Sequence, residues 1–323
     1  MFSFFLGMHT AEGRRSLEDV VRIIGLQMRA LGHEAYLDPR NNPAGDAATP
    51  EEQSAQIGKM VYTTQPNSIN VLVEGFTPMW VEQIAKARSM GARFIILATE
   101  EPTERGFNWG TQKEMVRRQQ IFPEAARLTE GILHLVPGKH VTDWYGQYAP
   151  SAQAELGYAP GLERFGAGEP DFDFGFFGSG SERRKRILNK LAKLTGREKA
   201  VITCTDFRDG SERDQRMRRA KVIVQLRKFE RMGLVSSSRC NTALMIGRPV
   251  VAEPHDLVHP WDEVIRFPQT MDGFFGNAVL ARAAWRQVWN DQLSKFKKIL
   301  SPEFCVGEPL RRIGLTSGTR AAA

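Results

Sequence analysis

The stretch FFGSGSERR, residues Phe176–Arg184, decides how the chain reads: an apolar run stops at Gly178, small residues turn, and charge begins after Ser181. The apolar run is a buried strand, and Ser181 caps the helix-patterned segment Glu182–Leu194. The junction is therefore a strand-to-helix turn. Glycine lets backbone approach a ligand closely, and the free N–H groups of a helix start favour an anion. Arg183 and Arg184 supply guanidinium donors that match phosphate geometry. Gly178 and Gly180 complete only part of a dinucleotide G-x-G-x-x-G, because Arg183 stands at the third position.

Working outward, the pattern alternates throughout. The second half continues with strand Ala200–Thr205, helix Ser211–Arg219, strand Lys221–Leu226, helix Ser238–Met245 and strand Pro249–Ala252. The first half offers strand Met1–Gly7, helix Ser16–Leu31 capped by Ser16, strands His33–Leu37 and Asn70–Val73, and helix Pro78–Met90. Strand Arg93–Thr99, helix Gln112–Ala126 and strand Gly131–Val136 follow. Such alternation predicts an α/β fold of two Rossmann-like, doubly wound domains with parallel sheets.

Periodicity fades over Tyr145–Pro170, where Pro and Gly recur, and this places the domains at residues 1–165 and 171–275. Trp285, Trp289, Leu293, Phe296 and Leu300 then fall at helical spacing. They predict a C-terminal helical segment, 276–315, that packs back across the domains; the small, polar tail 316–323 reads as disordered.

Of the 323 residues, 41% are hydrophobic and 25% charged, the balance of a globular chain. Cys204, Cys240 and Cys305 form no C-x-x-C pair, which argues against a disulfide framework and a cysteine zinc site. The apolar start Met1–Met8 is short for a secretory leader, and no run approaches bilayer length. Both point to a cytoplasmic protein, with peripheral membrane contact left open. The net charge of +7 is concentrated: Ser181–Arg239 holds 18 Lys/Arg against 7 Asp/Glu, leaving −4 for the rest. The partner of that half is anionic, phosphate being the plainest candidate.

A second informative stretch is SSSRCNTALMIGRPVVAE, Ser236–Glu253. A serine-rich turn starts a helix that Gly247 closes, and the next strand delivers Glu253 to its carboxyl edge, where doubly wound sheets bind ligands. A carboxylate there suits two ribose hydroxyls, and the helix start at Ser237, Ser238 and Arg239 suits a diphosphate.

Taken together, Phe176–Arg184, the strand Ala220–Leu226 and Arg239–Glu253 resemble the donor-binding half of GT-B glycosyltransferases, nearest to bacterial family-1-like and spore-coat-type members. The first half agrees in architecture and in Gly157–Pro160. The resemblance implies two domains facing across a cleft and transfer of a sugar from a UDP- or GDP-linked donor to an acceptor. No metal or permanently bound cofactor is implied; the nucleotide sugar is a co-substrate. It puts Gly178, Ser179, Arg183 and Arg184 near the donor phosphates, Ser237 and Ser238 at the helix start facing the diphosphate, Arg239 and Asn241 on phosphate or sugar, and Glu253 on the ribose. Where many retaining members carry an earlier acid, Met245–Ile246 is apolar, so the stereochemistry stays open.

Transfer also needs a group to take the acceptor's proton. His9, Glu74 and Glu100 (with Glu101) follow strands on the expected edge of the first half and are the candidates. His255 and His259 are four apart, but Pro254 and Pro260 break the helix a metal pair would need. Two other readings compete. An NAD(P)-dependent oxidoreductase would use the Gly178 turn and Asp206, and a nucleic-acid binder would use Arg208–Arg231, where aromatics are scarce, Phe229 within the run and Phe207 just before it. The acceptor, whether glycan, lipid-linked glycan, protein or nucleic acid, is not written in the sequence.

Overall fold

Strands FSFFL, INVLV and FIILA are apolar at almost every position, and each is buried along its whole length in the computed structural model. A strand covered on both faces loses the in–out alternation, and this is the mark of a parallel sheet between helices. The described residues are 1–6, 11–37, 57–73, 76–107, 112–166, 168–196, 199–205, 210–228, 236–255 and 258–315. They form two units: 1–155 with 302–323, and 156–301.

The first unit runs β1 (Phe2–Leu6), α1 (Ala11–Ala30), β2 (Ala35–Leu37), β3 (Ile69–Val73), α2 (Pro78–Ser89) and β4 (Phe94–Ala98). A short hairpin, β5 (Pro102–Thr103) and β6 (Gly106–Phe107), leads to α3 (Gln112–Ala126), β7 (Ile132–His134), α4 (Lys139–Gly146) and β8 (Ser151–Gln153). The sheet order is β2-β1-β3-β4-β7-β8, parallel throughout. The chain thus starts in the middle, winds one way and then the other. Thr77 caps α2 by accepting from the Trp80 N–H at 3.3 Å, and Pro78 occupies the first turn, where its missing N–H costs nothing.

The second unit repeats the plan: β9 (Phe172–Phe177), α5 (Glu182–Thr195), β10 (Val201–Cys204), α6 (Gly210–Met217), β11 (Ala220–Gln225), α7 (Ser237–Met245) and β12 (Val250–Ala252). Its order is β10-β9-β11-β12, again parallel. The helices α8 (Met271–Ala283) and α9 (Trp285–Ile299) follow. Phe174, Phe176, Leu191, Val224 and Phe274 build one core between sheet and helices. Each such side chain contributes roughly 1.5–3 kcal/mol by burial. Gly175 has no room for a side chain: a Cβ would sit 2.8 Å from that of Ala220.

Several boundaries differ from the sequence reading. Helix α1 begins at Ala11, so Ser16 lies inside it rather than capping it; Ala, Glu and Arg ahead of Ser16 are good helix formers that outweigh Gly13. Part of the stretch read as a linker supplies α4's end and β8, because three residues are too few to show a period. The division between units falls after Glu155, and the C-terminal segment is split: α9 belongs to the second unit, and from Pro302 onward, including α10 (Glu308–Arg312), the chain rejoins the first. Phe296 and Leu300 of the apolar stripe are fully buried, as a packing face requires. Residues 316–323 lie outside the described residues.

Candidate functional site

In the second unit the winding reverses between β9 and β11, and in doubly wound sheets the crevice outside the carboxyl ends of the strands at such a switch point is where ligands bind. Two arginines bridge that point. Arg239, on the first turn of α7, donates Nε–H to the Phe177 carbonyl at 2.7 Å and Nη1–H to Gln225 Oε1. Arg184, on the first turn of α5, donates to the Leu226 carbonyl from Nε at 3.2 Å and Nη2 at 2.8 Å, and to the Ser179 carbonyl from Nη1 at 2.6 Å. Both guanidiniums lie over the Phe176 ring, at 5.1 and 5.3 Å. The local sequence accounts for this: apolar β9 ends in two phenylalanines, and the first turns that follow carry the arginines.

Gly178 makes the crossing possible. Its φ of +124° is unfavourable for any L side chain, and a Cβ would lie 2.7 Å from Arg239 Nη2. A Gly178→Ala substitution is expected to cost about 1–3 kcal/mol in stability by backbone strain. It also pushes the guanidinium aside, and affinity for a phosphate-bearing ligand at Arg239 is expected to fall about tenfold. Thermal unfolding and calorimetric titration read the two effects separately.

Glu253 follows β12 into the same crevice and is 2% exposed. Arg183 holds it with both terminal nitrogens: Nη1 is 3.1 Å from Oε1, and Nη2 donates to Oε2. The Arg227 main-chain N–H also donates to Oε1, and the Arg227 Nε is 3.6 Å away. Arg183 and Arg227 thus contact the carboxylate, and Arg184 and Arg239, bonded to carbonyls and to Gln225, feel its charge. Burial lowers the pKa of Arg184, and burial with the like charge of Arg184 lowers that of Arg239 to about 9. The site is short of negative charge. Among the described residues, Nη2 of Arg239 has no hydrogen-bond partner.

Other expected residues fall differently. Ser179 and Arg184 bond each other, and Ser237 and Ser238 lie on the first turn of α7 beside Arg239. Asn241 is buried, and its amide donates to the Gly157 carbonyl at 2.7 Å, so it anchors the segment entering the unit rather than facing Arg239's side. Residues two apart on a helix point in nearly opposite directions, and the motif's spacing could not show that. Gln225 and Arg227 were missed; the change from apolar to polar where β11 ends was their available signal. His255 does not stand alone, since its Nε2 lies 2.9 Å from Asp262 Oδ1. Among the described residues no cluster of His, Cys, Asp or Glu could hold a metal ion.

In the first unit, His9 and Glu74 lie outside the described residues. Glu100, just after β4, is buried and paired with Arg118 at 2.5 Å, while the Tyr145 hydroxyl donates to its main-chain carbonyl at 2.7 Å. Burial pushes its carboxyl up to about 6 against the opposing pull of Arg118. Glu101 lies 3.7 Å from the His140 ring. A folded-state pKa above the unfolded one means the folded protein holds the extra proton. The stability contributed by Glu100 is thus complete below pH 4.5 and is lost as pH rises to about 6. The difference in unfolding free energy between wild type and Glu100→Gln is expected to fall by about 2 kcal/mol across that window, read from denaturant curves at each pH.

No family model and no curated protein matches the chain. Solved structures align with it at low identity. The glycosylation-associated Gap123 complex of Streptococcus agalactiae shares 10% identity over 83% of this chain, which spans 58% of that one, at a TM-score of 0.46. T4 phage β-glucosyltransferase in complex with UDP and Mn2+ shares 7% over 97% of this chain and 99% of its own, at 0.47. Phytolacca americana UGT2, complexed with UDP-2-fluoro-glucose and pterostilbene, shares 12% over 97% and 98%, at 0.43. Likenesses of this order leave the reading of the site to its own geometry. Among the described residues no helix is long and apolar enough to cross a membrane.

Proposed function

We propose that the second unit binds a nucleoside diphosphate sugar and that the protein transfers the sugar to an acceptor. The observation that carries this is the clustering of Arg183, Arg184, Arg227 and Arg239, with Glu253 as the carboxylate paired to Arg183 and Arg227, at the ends of β9, β11 and β12 around a topological switch point. The excess of three positive charges suits a diphosphate, and the motif resemblance of Arg239–Glu253 supports a sugar-linked one. In this reading Arg239 and Arg183 take the phosphates, Gly178 and Ser179 lie alongside, and Glu253 accepts from a ribose hydroxyl. Asn241 acts by holding its segment in place.

In the transfer, the bond from the sugar's anomeric carbon to the phosphate oxygen breaks and the nucleoside diphosphate leaves. A bond to the acceptor oxygen forms, and that oxygen's proton passes to a base, for which His9, Glu74 and Glu100 are the candidates. Charge grows on the departing diphosphate, so preorganised guanidiniums stabilise the transition state more than the ground state. They do what a divalent cation does elsewhere, and the reaction proceeds without a bound metal. The base is uracil or guanine, the acceptor is unspecified, and the reaction is cytoplasmic.

Calorimetric titration with UDP, GDP, CMP and NAD tests the reading. Saturable binding of UDP or GDP, lost in Arg239→Ala, supports it. Binding of NAD alone overturns it.

A further inference from the structure

Glu253 stands where a diphosphate ligand would meet its own sign of charge. Its carboxylate is 2% exposed, and both oxygens accept hydrogen bonds from Arg183. Among the site's arginines, Arg183 commits both terminal nitrogens to a carboxylate, its Nη1 also donating to the Arg227 carbonyl at 3.1 Å, whereas Arg184 spends its donors on the Leu226 carbonyl and on the carbonyl and hydroxyl of Ser179. Arg183 also keeps 15% of its side chain exposed, so solvent and ligand can reach it. Carboxylate and phosphate use the same guanidinium fork. They cannot share it, and a phosphate settling beside an undisturbed carboxylate meets like-charge repulsion.

Without Glu253, the empty site would hold guanidiniums with no counter-ion, and the pressure of Arg184 on Arg239 shows that they feel one another. The carboxylate relieves this while no ligand is present. Resting on the proposed function, we infer that Glu253 is a place-holder anion: it occupies Arg183 in the empty site and yields it to a ligand phosphate. It thereby makes the site select diphosphates over monophosphates. A single phosphate is satisfied by Arg239 and has no second charged group with which to displace Glu253. A diphosphate has one. When Arg183 turns away, the Arg227 N–H still tethers the carboxylate, which is then free to accept from a ligand hydroxyl.

The test uses the full-length protein with UDP, UMP and pyrophosphate, read by calorimetry. Wild type is expected to prefer UDP to UMP by about 30-fold or more, since only the second phosphate reaches Arg183 and the charge-assisted bonds it gains there outweigh the breaking of the resting pair. Glu253→Gln keeps the shape and the Arg227 bond but drops the charge. It is expected to bind pyrophosphate about 5- to 10-fold more tightly, because Arg183 no longer has to be released. UMP gains more than UDP, since its one phosphate can then reach Arg183 as well as Arg239, so the UDP preference narrows, while the variant's thermal midpoint falls. In an Arg183→Ala background the gain should vanish.

Weaker pyrophosphate binding by Glu253→Gln overturns the inference, because the carboxylate is then needed to set Arg183. A gain that survives in the Arg183→Ala background overturns it too, since the effect is then one of overall charge. Should Glu253→Gln fail to fold, Glu253→Asp, too short to hold both nitrogens, gives the same comparison with the same signs. Failure of wild type to bind UDP, GDP or pyrophosphate sinks the reading of the site itself and this inference with it. UDP binding with no change in Glu253→Gln sinks only the inference.

Discussion

Replacing Arg239 with alanine is expected to weaken UDP or GDP binding about 10- to 150-fold, the equivalent of one charge-assisted hydrogen bond of about 1.5–3 kcal/mol. Arg239 is the group that joins β9's end to β11's, through Phe177 and Gln225, while leaving Nη2 for a ligand. Lysine should not rescue it. A single ammonium cannot reach the Phe177 carbonyl, Gln225 and a phosphate together. Stability should change far less than affinity, because removal also relieves the repulsion between Arg239 and Arg184. The pH profile carries an independent signature. With its pKa lowered to about 9, Arg239 begins to lose its charge there, so affinity should drop with each further unit of alkalinity. Titrations at pH 8, 9 and 10 in matched salt read this directly, and a flat profile would tell against Arg239 as the ligand group.

The second large effect is expected at Asp214. Asp214 is 2% exposed and pairs with Arg213 at 2.9 Å and with Arg164. Arg213 is itself buried and lies 5.3 Å over the Phe177 ring. Removing the carboxylate takes a buried anion away from two arginines at once, Arg213 and Arg164, and breaking a buried pair in this way costs about 3–5 kcal/mol. Asp214→Ala should therefore lower the thermal midpoint by roughly 10 °C in a chain of this size. A double replacement, Arg213→Met with Asp214→Leu, should restore part of the loss, because it removes the more deeply buried of the two cations together with the anion, while Arg164, which is more exposed, still loses Asp214. If the single variant melts with the wild type, Arg213 has another anion nearby and the pairing is not what holds it.

Much of the fold was legible because its signals are local. Buried strands such as FIILA are recognisable without neighbours, and Gly178, Ser181 and Gly247 mark turns and caps by their own chemistry. The elements read poorly were those whose evidence is not local. Strand β8 is three residues long, and it is a strand because β7 lies beside it. The path of the C-terminus, first with one unit and then the other, follows from packing partners far away in sequence.

The crevice divides in the same way. The sequence by itself determined that Arg183, Arg184, Arg239 and Glu253 stand at strand and helix ends, since periodicity and caps fix where elements begin and stop. It also determined the excess of positive charge over Ser181–Arg239, which is composition. Only the tertiary structure decided who meets whom. Glu253 turns onto Arg183 across 70 residues, Arg239 reaches Phe177 across 62, and Asn241 turns away to Gly157 across 84. Sheet order and helix rotation set those pairings, and both are settled by long-range packing that no short window of sequence contains.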